Sequence, residues 1–141
     1  MQVGSTSFVV QSTINGSTFE IDKVNNISKV AWKGKVDLDT AKNLLTVGGD
    51  SVEFDGFTKL LIDRSLLTEF DTEARVWIKN LYKTRAKKLA HKVEKMAIVN
   101  ANSKMGNIFS NMMTSAISLI VPNLKLKIFD TIDEAEKWLL V

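Results

Sequence analysis

Phe57-Thr58-Lys59-Leu60-Leu61-Ile62-Asp63 is the stretch that sets the architecture. Its apolar centre is continuous rather than alternating, which suits a central strand covered on both faces. Such a strand needs a layer on each side, and the flanking sequence supplies helices. Upstream, Asp37 or Asp39 is placed to cap a helix on which Leu38, Ala41, Leu44 and Leu45 recur at helical spacing. Gly48-Gly49 predicts a stop or a bend in that helix. Downstream, Asp71 or Thr72 caps a helix running to about Ala90, with Ala74, Trp77, Ile78, Leu81, Tyr82 and Leu89 as its apolar face.

Further out the same alternation continues. Val93 to Val99 reads as a strand, and Leu124 to Phe129 as the last one. Between them a helix begins at Ser103, carries Met105, Ile108, Phe109, Met112, Met113, Ala116, Ile117 and Ile120 at spacings of three and four, and is closed by Pro122. Asp130 or Thr131 caps a final helix with Ala135, Trp138 and Leu139. The N-terminal third differs. Phe8 to Ile14, Thr18 to Val24 and Ile27 to Lys33 are rich in β-formers, separated by Asn15-Gly16 and Asn25-Asn26, and Gly34 is expected to end the third run. The expectation is a single α/β domain over residues 1–141. It has a mixed sheet with antiparallel N-terminal strands, then alternating β-α units, and about four helices cover it.

Composition narrows the function classes. The 141 residues suffice for one domain with its own core, without metals or disulfides. There is no cysteine, hence no thiolate metal site or redox pair. No basic-then-apolar segment opens the chain, so a cytoplasmic protein is expected. The net charge of +3 does not argue for nucleic acid, and no stacking aromatics or known motif accompany the cations. From Arg75 to Lys95, however, eight Lys or Arg face one acid, Glu94. That segment carries +7, and the rest of the chain sums to −4.

Two motifs and the chain's ending carry a family resemblance. Gly34-Lys35-Val36-Asp37-Leu38-Asp39-Thr40-Ala41 resembles the Gly-x-x-Asp-x-x-Thr-Ala turn of STAS domains. Leu60-Leu61-Ile62-Asp63, with Asp71-Thr72 eight residues on, resembles their central strand and Asp-Ser-Ser-Gly loop. Phe129-Asp130, Asp133-Glu134-Ala135 and Trp138-Leu139 resemble the ending of the SpoIIAA-like branch, sometimes grouped as STAS/Sec14. The resemblance spans about 18–140. It implies a non-enzymatic regulatory or binding module, like the anti-sigma-factor antagonists, that works through an unidentified protein partner and needs no cofactor. It also implies that Thr72 stands where the family's phosphorylated serine stands, within a switch loop of Asp71, Thr72 and Glu73. A phosphate at a helix start meets free N–H groups and the positive dipole end. Here the second serine is Glu73 and the glycine is Ala74, so a fixed negative charge sits beside the acceptor. The alternative is that Asp71 and Thr72 only cap the helix.

Other features invite binding roles, each beside a plainer one. Arg75, Lys79, Lys83 and Lys87 recur every four residues, and Lys88, Lys92 and Lys95 continue the stripe if the helix lasts. It is either a docking surface for an acidic protein, an anionic lipid surface or nucleic acid, or a solvated helix face. Met105 to Leu124 has no charged residue, yet its Asn, Ser and Thr make it too polar for a transmembrane span. Its Met105, Ile108, Phe109, Met112, Met113 and Ile117 suit an interaction or ligand face, either for a protein or, in a Sec14-like carrier or sensor, for an apolar small ligand. The plain reading is a helix packed on the sheet. The charge pattern also permits a homo-oligomer. His91 lacks companion ligands, so no metal site is expected. Asp37, Asp39, Asp63 and Asp71 fall near strand ends, where α/β proteins often bind ligands, though capping explains most of them. No nucleophile–base pair or cofactor fingerprint appears, so an enzyme is not expected.

Overall fold

In the computed structural model, residues 5–89, 91–101 and 124–141 are described. Six strands form one sheet in the order of the chain, β1-β2-β3-β4-β5-β6. They are β1 (Val9–Ile14), β2 (Ser17–Asp22), β3 (Ile27–Val36), β4 (Lys59–Phe70), β5 (Lys95–Val99) and β6 (Lys125–Phe129). The first three are antiparallel, and β3 through β6 are mutually parallel. The β1–β2 turn is Asn15-Gly16 with φ of 52° and 87°, the two positive values a type I′ hairpin needs.

Among the described residues there are three helices, not about four: α1 (Leu38–Asp55), α2 (Thr72–Leu89) and α3 (Ile132–Leu139). The helix expected from Ser103, with its methionine-rich face, falls on residues 102–123, outside the described residues. The alternation of strand side chains divides the core in two. Ile62, Met96 and Ile98 face Ala41, Leu44 and Leu45 of α1 and Ala74 and Ile78 of α2. Leu61, Ala97 and Val99 face Ala135 and Leu139 of α3. The central strands are thus buried on both faces, as the run Leu60-Leu61-Ile62 demands.

Three local expectations are corrected. Gly34 does not end β3. At φ 68° it sits at a register shift, and the strand runs on to Val36. Strand β4 does not stop at Asp63, because a bulge sets Arg64 and Ser65 against one residue of β3 and pairing resumes at Leu66. Gly48-Gly49 neither stops nor bends α1 into two pieces. The helix continues to Asp55 and ends where Gly56 adopts φ 78°. The glycines serve close approach instead: Gly48 lies against Val30, and Gly49 admits the Arg85 guanidinium.

Candidate functional site

The ends of β3 and β4 lie side by side, with Val36 paired to Phe70. Each strand then turns into a helix through an aspartate. Asp37 accepts from the Thr40 N–H at 2.9 Å, and Asp71 accepts from the Ala74 N–H at 2.8 Å. The Asp71 N–H donates to the Val36 carbonyl at 2.9 Å, fixing the two turns together. The hairpin Asn15 donates to Thr40 Oγ1 at 3.1 Å and joins this end of the sheet. The Thr40 N–H, followed by its hydroxyl, holds the Asp37 carboxyl below its ordinary pKa.

Within the expected switch loop the roles separate. Asp71 is half-buried and does the capping. Thr72 and Glu73 are exposed at the first turn of α2, and Thr72 Oγ1 accepts from Arg75 at 3.2 Å. Leu66 is exposed on the same extension of β4, and Lys35 and Glu69 pair across the strands at 3.7 Å. The arrangement offers a hydroxyl, two carboxylates and a guanidinium at a helix start, groups suited to recognition by hydrogen bonds and charge.

The four strand-end aspartates do not form one cluster. Asp37 and Asp71 come together, and Asp39 is exposed in the first turn of α1. Asp63 lies eight residues before Asp71, about 25 Å along an extended strand. There its carboxylate accepts from the N–H and hydroxyl of Ser65 at 2.9 and 2.7 Å. No group of three or more His, Asp or Glu suited to a metal occurs among the described residues.

The basic stripe is only partly a stripe. Lys79 and Lys83 are exposed, Arg75 is tied to Thr72, and the side chain of Lys87 lies outside the described residues. The sequence reading missed the ion pairs of the neighbouring cations. Arg85 pairs with Asp50 at 3.0 Å and Glu53 at 3.1 Å, and Lys88 pairs with Glu53 at 2.7 Å. Charge signs alone carried a signal, since the acids of α1 at 50 and 53 are the natural complement of the basic helix. Arg64 was also missed. It is 3 % exposed at the bulge of β4, and burial pushes its pKa down to about 10 despite the nearby Tyr82. Burial pushes the Tyr82 phenol up. The signal was a second charged residue, after Asp63, within a stretch that resumes its apolar pattern at Leu66 and Leu67.

No helix among the described residues is long and apolar enough to cross a membrane. No curated protein matches the chain. A solved structure of similar fold is an uncharacterized protein of the DUF3478 family, with a SpoIIAA-like fold, from Shewanella loihica PV-4. It is 14% identical with a TM-score of 0.53, over 99% of this chain and 97% of that one, a likeness of fold alone. The family described as SpoIIAA-like matches residues 27–140, from the first residue of β3 to the residue that caps the end of α3. The chain therefore belongs to the SpoIIAA-like family, within the STAS domains.

Proposed function

We propose that this chain is a non-catalytic regulatory binding module whose protein partner docks on the start of α2, at Asp71, Thr72 and Glu73. The observation that carries the reading is the division of roles between adjacent residues. Asp71 satisfies the helix N-terminus, so the fold does not need the Thr72 hydroxyl or the Glu73 carboxylate for that purpose. Both are exposed on a helix start at the ends of the parallel strands, where α/β domains commonly present their recognition groups. Arg75, 3.2 Å from Thr72 Oγ1, is placed to meet a negative charge acquired by that hydroxyl. The reading invokes no cofactor and no chemical step.

The test is a photoreactive residue placed at Glu73 in the full chain, expressed in its own host. A discrete crosslinked protein, absent when the probe is moved to the exposed Gln11, is expected. The partner's affinity for Thr72→Ala and Thr72→Glu then differs if a charge on residue 72 controls docking. Equal affinities remove the switch, and no discrete crosslink overturns the docking site.

A further inference from the structure

The opposite end of the sheet carries a second, differently built surface. The parallel strands begin there in register: Lys59 pairs with Lys95, and Lys95 with Lys125. Three lysines therefore stand in a row across adjacent strands, about 4.8 Å from strand to strand, an arrangement that like-charge repulsion disfavours. Lys59 reaches the Asn25 carbonyl at 3.4 Å, and Lys95 reaches backbone oxygens of Trp138 and Val141 at 3.0 and 2.8 Å. Lys125 is exposed. Lys23, Lys88 and Lys92 are exposed at the same end. Lys88 is 64% exposed even while paired with Glu53, and Lys92 donates to the Glu53 carbonyl at 3.2 Å. Carboxylates share the region: Asp22 is buried, Asp50 and Glu53 are already paired with Arg85, and Asp55 and Glu94 are exposed.

Two large apolar side chains project from this basic end. Phe54, next to the residue that Lys88 and Lys92 both touch, is 74% exposed in the last turn of α1. Val24 is 88% exposed in the β2–β3 turn. The two segments are stitched together by Asn26, which donates to the Gly56 carbonyl at 3.3 Å and to Thr58 Oγ1 at 2.8 Å. Phe54 and Val24 are isolated protrusions rather than one contiguous apolar patch. A protein partner needs a contiguous complementary area, whereas a fluid bilayer closes around each protrusion separately.

We propose that the end of the domain formed by the starts of the parallel strands is a peripheral contact surface for an anionic lipid bilayer. Phe54 and Val24 enter the headgroup–acyl boundary, and Lys23, Lys88, Lys92 and Lys125 face the lipid phosphates and carboxylates. The charge attracts the domain to the surface, and the two apolar side chains retain it there. This surface lies at the far end of the strands from Thr72, so the two proposals stand or fall separately.

The test is co-sedimentation of the full chain with vesicles of phosphatidylcholine alone and of phosphatidylcholine mixed with phosphatidylserine. Binding is expected to the mixed vesicles only, and it is lost at about 1 M salt, where the screening length is about 3 Å. Lys23→Gln with Lys92→Gln lowers the partition coefficient by about 25-fold, about fivefold per charge removed. Phe54→Ser lowers it further, whereas Lys35→Gln at the far end leaves it unchanged. All these side chains are exposed, so unaltered circular dichroism is the check that each variant folds. The proposal is overturned if the wild-type chain stays in the supernatant with the mixed vesicles. It is equally overturned if Phe54→Ser and the double lysine variant bind as the wild type does.

Discussion

Arg85 of α2 reaches Glu53 of α1 at 3.1 Å by laying its guanidinium over Gly49, where a Cβ would collide with it. The contact ties the C-terminal halves of the two helices on one face of the sheet. Its worth depends on screening, because Lys88 shares the same carboxylate from an exposed position. A double-mutant cycle of Arg85→Ala and Glu53→Ala is expected to show a favourable coupling at low salt that shrinks toward zero at about 1 M. A coupling indifferent to salt would mean that packing over Gly49, not charge, holds the helices.

The two glycines inside α1 and the one at its end make opposite predictions. A Cβ at Gly48 would touch only Val30, at 3.4 Å, ordinary contact. Gly48→Ala should therefore stabilise by about 0.5–1 kcal/mol through helix propensity. Gly56 ends the helix at φ 78°, so Gly56→Ala should cost about 1–2 kcal/mol although the space is open. Urea denaturation of both variants decides, and equal signs would refute the backbone argument.

Asp71 and Thr72 should separate in stability. Asp71→Ala removes a cap bond of 2.8 Å and should cost about 1 kcal/mol. Thr72→Ala removes an exposed hydroxyl and should stay within about 0.5 kcal/mol of the wild type. A larger loss for Thr72→Ala than for Asp71→Ala in thermal unfolding would return Thr72 to the capping role.

Acid should unfold the domain through carboxylates held ionised. Burial works against the Asp22 carboxylate, but the Asn25 side chain and the N–H groups of Ser7, Asn25 and Val24 outweigh it and depress its pKa. At Glu53 the Lys88 ammonium does most to depress the pKa, and burial opposes it. A depressed folded-state pKa means that the unfolded chain binds more protons. The contribution is full above the ordinary carboxylate value, about 4, and is lost as pH falls through the lower folded value. Stability should be flat from neutrality to about pH 5 and then fall. Asp22→Asn should reduce the slope below about pH 4 by up to one proton, and an unchanged slope would exclude Asp22 from the acid response.

The order of elements could be read from the sequence because each depends on neighbours in the chain. Asn15-Gly16 needs only its own positive φ values, and Asp37, Asp71 and Thr131 cap helices that begin beside them. What could not be read depends on distant residues. The length of β4 follows from resuming its pairing with β3 past Arg64 and Ser65. The continuity of α1 through Gly48-Gly49 goes with packing against distant residues, Val30 in contact beside Gly48 and Arg85 in the space that a side chain at Gly49 would take. At the candidate site, Asp71-Thr72-Glu73 was legible because a cap is local. The pairing of Arg85 and Lys88 was not, because their partners lie at least 32 residues away.

The strand order carries a consequence for synthesis. Every strand lies beside the one that precedes it in the chain, so none has to be inserted between two already joined. A chain emerging from the ribosome can extend its sheet outward from the Asn15-Gly16 hairpin, one edge always complete and the other always growing. Arrest after any strand leaves a shorter sheet with its earlier pairings intact, never a sheet with a gap.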